Sequence, residues 1–67
     1  MLEMKTYTAA ELSQGHIYEN ATGFYEYSGR KSGDLLYVFY VCHLCDNGEI
    51  VKTAEERYFT KSELHFE

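Results

Sequence analysis

From Leu35 to Cys45 the chain runs for eleven residues without a charged side chain and without alternation of apolar and polar positions. A strand with one wet face would alternate, so this segment must be covered on both sides. Hydrophobicity alone would also permit a helix, but the density of β-branched and aromatic residues from Tyr37 to Val41 favours a strand. It is expected as the long central strand, bent around a small barrel. Asp46-Asn47-Gly48-Glu49 follows directly and puts Asn-Gly at a turn centre, the sequence of a type I′ turn with positive φ at both central residues. Ile50-Val51-Lys52-Thr53 then returns antiparallel.

The flanking segments carry the same β character. His16-Ile17-Tyr18-Glu19 and Phe24-Tyr25-Glu26-Tyr27 are strand formers joined by the turn residues Asn20-Ala21-Thr22-Gly23, which predicts a hairpin. Ser28 to Asp34 holds two glycines among polar residues and reads as a mobile loop. Glu55 to Phe59 reads as a strand, Thr60 with Glu63 as a capping box around one tight helical turn, and the chain end as a last extended pair. A second capping box, Thr8 with Glu11, marks a short helical turn near the start, with Gly15 at its exit. Residues 1–7 are expected to be disordered. At 67 residues the chain has room for one domain, burying only roughly 60% of its unfolded surface. Its seven Tyr and four Phe must therefore supply most of the core. The expected fold is mostly β: a five-stranded antiparallel SH3-like barrel with one N-terminal helical turn and a 3-10 turn before the last strand. Closure of such a barrel removes the edges along which sheets aggregate.

Gly15-His16-Ile17-Tyr18-Glu19-Asn20, the Tyr-rich strand after it, and Arg57-Tyr58-Phe59-Thr60 before an acidic-Leu pair resemble small uncharacterised phage and prophage proteins with SH3-like barrels. The likeness spans residues 15–66. It implies a mobile-element origin and, with it, an inhibitor acting on a host or defence protein in the host cytoplasm; it brings no catalytic residue.

Charge and motif content exclude several function classes. A net charge of −5 repels phosphates, which argues against direct nucleic-acid binding. No apolar stretch reaches the ~18 residues of a membrane span, and the start lacks the plan of a signal peptide. Two cysteines are too few for a secreted disulfide framework, so free thiols in a cytoplasmic protein are expected. Cys42-His43-Leu44-Cys45 invites a metal reading, with His16 and His65 completing four ligands for zinc. Against it, residues three apart on a strand face opposite ways, and a redox Cys-x-x-Cys would need a helix start. No metal and no cofactor are therefore expected, and a zinc- or thiol-dependent protein centred on Cys42 and Cys45 is the alternative. No phosphate cradle, nucleophile elbow or metalloprotease motif is present, so no enzyme is expected. Six Tyr (18, 25, 27, 37, 40 and 58) exceed what so small a barrel hides, and exposed Tyr is typical of protein interfaces. The expected site is an acidic and aromatic face of Tyr18, Glu19, Tyr25, Glu26, Asp34, Glu55, Glu56 and Tyr58, binding a protein with a basic surface. A structural homodimer is the further alternative.

Overall fold

The uncharged run becomes β4, Leu36–Leu44, the third strand of a four-stranded antiparallel sheet ordered β2-β3-β4-β5. The computed structural model describes residues 3–67. Strand β2 is Ile17–Asn20, β3 Gly23–Ser32 and β5 Ile50–Thr60. β1, Lys5–Thr6, pairs antiparallel with β6, His65–Phe66, in a second sheet of two strands. Single 3-10 turns occupy Ala9–Glu11 and Lys61–Glu63. In each, the Glu carboxylate accepts the N–H of the capping Thr, Thr8 to Glu11 at 2.9 Å and Thr60 to Glu63 at 2.8 Å.

The mostly-β, antiparallel character and both short helical turns agree with the sequence. The five-stranded barrel does not. Among the described residues there are six strands in two sheets, and these do not close on one another. Closure would require β1 or β6 to pair along β5, but both are two residues long and pair with each other. Within the segment 1–7, Lys5 and Thr6 form β1 and the Tyr7 N–H donates to the Leu64 carbonyl at 2.7 Å. Positions 1 and 2 of that segment lie outside the described residues.

From Tyr37 to Cys42 the central strand is buried or half-buried on both faces, as its lack of alternation requires, while His43 and Leu44 at its end are exposed. Tyr37, Val38 and Phe39 are consecutive and 6%, 2% and 0% exposed. Tyr37 and Phe39 belong to the main core with Tyr18, Tyr25, Phe59, Leu64 and Phe66, while Val41 and Tyr27 pack at its margin. This is the inner face, over which β6 lies. The Glu67 N–H donates to the Glu19 carbonyl at 2.8 Å, tying the chain end to β2. The rings meet edge to face, with Phe39–Phe59 centroids at 5.0 Å and Tyr25–Phe59 at 5.1 Å, the arrangement that ring quadrupoles favour. By alternation, Val38, Tyr40, Cys42 and Leu44 belong to the outer face.

The polar stretch at 28–34 is a turn only at Gly33 and Asp34. β3 continues through it to Ser32, with a bulge between Tyr27 and Lys31 opposite Val38. The Ser28 hydroxyl donates to the Val38 carbonyl at 2.6 Å and accepts the Arg30 N–H at 3.1 Å. On the other side of β4 the device recurs. β5 bulges opposite Val41, where the Thr53 hydroxyl donates to the Val41 carbonyl at 2.7 Å and accepts the Glu55 N–H at 3.2 Å. A bulge interrupts the ladder at one carbonyl, and in both places a hydroxyl supplies the missing donor. The segments read as two strands, 50–53 and 55–59, are thereby one.

The β4–β5 hairpin forms where expected, with a different turn. The Gly48 N–H donates to the Cys45 carbonyl at 2.9 Å, so Asp46 and Asn47 are the central pair. Gly48 has φ of +86°, while no non-glycine residue described has positive φ. Asn47 is therefore not in the conformation a type I′ turn demands. The geometry is a tight turn followed by a left-handed glycine, the three-residue hairpin loop.

Candidate functional site

The expected acidic and aromatic face is taken apart by the fold. Tyr18 and Tyr25 are each 3% exposed and belong to the core, a correction to their assignment as surface anchors. The Tyr18 hydroxyl accepts the Ser13 N–H at 2.9 Å, and that of Tyr25 pairs with the Thr22 hydroxyl at 2.6 Å. A Tyr whose hydroxyl finds a partner at the rim of a core can bury its whole ring. Glu19 is half-buried on β2, Asp34 is exposed in the β3–β4 turn, and Glu55 is exposed in the β5 bulge.

Glu26, Glu56 and Tyr58 do share the outer face. The register sets Glu26 opposite Tyr40 and Tyr40 opposite Glu56, with Tyr58 opposite Val38. The β3 bulge aims Arg30 across the strand, where its guanidinium donates to Glu56 at 2.7 Å and to the Tyr40 hydroxyl at 2.9 Å. The Tyr58 hydroxyl donates to the second Glu56 oxygen at 2.8 Å. Arg30, then Tyr58, hold the Glu56 carboxyl below its ordinary range, and Glu56 raises both Arg30 and the Tyr58 phenol. Lys52 approaches Glu26 at 3.5 Å and lies 5.0 Å over the Tyr40 ring. This face is an internally neutralised lattice of charges around Tyr40. Both of its carboxylates already face cations.

The zinc alternative also finds no common point. Cys42 is buried on the outer face of β4 and Cys45 is exposed in the following turn. The His16 ring lies tilted against Tyr18 with centroids 4.9 Å apart, and the His65 Nδ1 is 2.9 Å from the Thr6 hydroxyl. Among the described residues no three His, Cys, Asp or Glu side chains converge. Burial, then the Glu26 charge, pushes the Cys42 thiol up, which opposes the thiolate that metal binding or nucleophilic attack needs.

Two surfaces not singled out in the sequence stand at opposite ends of β4. At one end β3 stops pairing at Phe24 opposite Cys42, and β4 and β5 continue as a two-stranded ribbon, His43 with Val51 and Leu44 with Ile50. With no third strand beside it, Leu44 is 58% exposed and Val51 44%. Asp46 and Glu49 in the turn are exposed, and they are the only charged residues between Leu44 and Val51. The available signal was a mismatch of lengths: the Asn20–Gly23 turn ends β3 before the apolar run of β4 is finished. At the other end, Asp34, Leu35, Tyr37, Thr60, Lys61 and Ser62 line an open cleft of about 340 Å³. Its outer wall is Leu35, 76% exposed, and the Lys31 ammonium lies 5.1 Å over the Tyr37 ring.

Compared with protein-family models, curated proteins and solved structures, the chain matches none. Among the described residues, no helix is long and apolar enough to cross a membrane.

Proposed function

We propose that this protein is a non-catalytic interaction module that holds a protein with a basic surface through the tip of its β4–β5 hairpin. One observation carries the reading: Leu44 and Val51 are exposed, on opposite faces of a ribbon whose turn carries the acids Asp46 and Glu49. Apolar anchors beside an acidic turn suit a contact surface, with charge steering the encounter and apolar contact holding the complex. The four-stranded meander and the 3-10 turn before β6 support its kinship with small SH3-like scaffolds, opened along the β5 edge. Free thiols favour cytoplasmic residence. The phage resemblance supports a host or defence protein with a basic groove as the partner.

The test is binding kinetics on a partner captured with the immobilised protein. Asp46→Lys with Glu49→Lys should slow association and abolish its salt dependence, while Leu44→Glu should speed dissociation. Tyr58→Ala should leave both rates near wild type. The opposite pattern, with the tip variants unaffected and Tyr58→Ala or Glu55→Lys impaired, would return the site to the outer face of the sheet.

A further inference from the structure

We propose that the protein associates head to tail with a second copy of itself, the hairpin tip of one copy seated in the Leu35–Tyr37–Lys61 cleft of the next. The inference rests on the tip being a contact surface and adds the occupant of the opposite end.

The two surfaces cannot meet within one chain. They bracket β4, Leu36–Leu44, whose eight steps of ~3.3 Å span about 26 Å. They are complementary in both apolar character and charge. The tip offers Leu44 on its outer face beside Asp46 and Glu49, with Val51 on the opposite face of the ribbon. The cleft offers an apolar floor and wall, Tyr37 and Leu35, with Lys61 in its lining and Lys31 on the Tyr37 ring. Among the described residues Lys5, Arg30 and Lys52 are in ion pairs, whereas Lys31 and Lys61 are not. Within the lining Asp34 offsets Lys61, and Lys31 over the Tyr37 ring tips the balance of this end positive. Its volume of about 340 Å³ lies at the small end of the roughly 300–1,000 Å³ of ligand pockets, enough for an aliphatic side chain and its neighbours.

Because the two patches differ, each bound copy keeps one patch free. Such heterologous contacts extend beyond the dimer unless their rotation closes a ring. The charged part of the contact weakens with salt, as the Debye length falls from about 10 Å at 0.1 M to about 3 Å at 1 M.

Sedimentation velocity over a concentration series tests this. Wild-type protein should sediment faster with concentration, past the dimer, and revert toward monomer at high salt. Leu44→Glu lacks the tip and Lys61→Glu, with Leu35→Ser, lacks the cleft; all three positions are exposed, so the variants should fold. Each should be monomeric alone, and an equimolar mixture should form a one-to-one dimer that grows no further. A thiol-to-amine crosslinker of short span should join Cys45 to Lys61 between isotopically distinct copies. Wild type that stays monomeric at every concentration would overturn the proposal, as would a dimer that neither grows nor is restored by mixing. The cleft variant keeps its tip, so partner capture by it tests the hairpin reading separately: capture with a monomeric wild type would remove self-association alone.

Discussion

Glu11 shows how much one exposed side chain can organise in a chain this small. Its carboxylate takes the Lys5 ammonium at 2.6 Å, the Thr8 N–H at 2.9 Å and the Thr8 hydroxyl at 3.1 Å. Lys5 first, then Thr8, lowers its pKa from 4.5 to about 2. A carboxyl that ionises more readily in the folded state contributes its stability fully above pH 4.5. As pH falls from there toward about 2 the unfolded chain takes up the proton first, and the contribution disappears. Glu63, held down by the Thr60 backbone N–H and hydroxyl, acts in the same direction. Glu11→Gln should therefore lower the melting temperature at neutral pH, and the two melting curves should converge as pH approaches 2. Curves that stay parallel through that range would mean that the contact is open in solution. This pairing was legible in the Thr8-to-Glu11 spacing; the part taken by Lys5 was not, because only the β1–β6 pairing brings it near.

At the scale of elements, the sequence revealed where strands form and missed how they continue. The Asn20–Gly23 hairpin, the central strand and the Asn47-Gly48 reversal all follow from local chemistry. Ser28-Gly29 and Thr53-Ala54 read as breaks because glycine and small polar residues ordinarily punctuate strands. The structure bridges each with one hydroxyl, which replaces the ladder donor at Val38 or Val41. Removing the hydroxyl should leave a part-buried carbonyl unpaired. Ser28→Ala is expected to cost about 1–2 kcal/mol, read as a lower denaturant midpoint with unchanged slope. Ser28→Thr should restore most of it, which a mere preference for small side chains would not do. A Ser28→Ala midpoint equal to wild type would show that water replaces the hydroxyl without loss. The same bulge delivers Arg30 to Glu56, so the charge lattice of the outer face is a product of backbone irregularity that no periodicity could reveal.

For the molecule as a whole, the aromatic count foretold the kind of core and misassigned its members. Tyr18 and Tyr25 were legible as strand residues, but their burial depends on Ser13 and Thr22, which meet their hydroxyls only in the folded chain. The acidic balance was visible from the start. The exposure of Leu44 and Val51 beside the acids of the hairpin turn was not, since that follows from β3 stopping short of β4. The placement of the two thiols has a separate consequence. Cys45 is open to solvent, while Cys42 is closed within the central strand, and reagents reach such a site only through rare opening of the sheet. The pair is thus a built-in clock. Under thiol reagent dilute enough that the sheet recloses before it reacts, the first equivalent should react at the rate of a free thiol and the second at that rate scaled by the open population, with Ser28→Ala hastening only the second. Simultaneous reaction of both would place Cys42 at the surface. Otherwise the ratio of the two rates gives the fraction of time the sheet stands open, measured on the native protein without heat or denaturant.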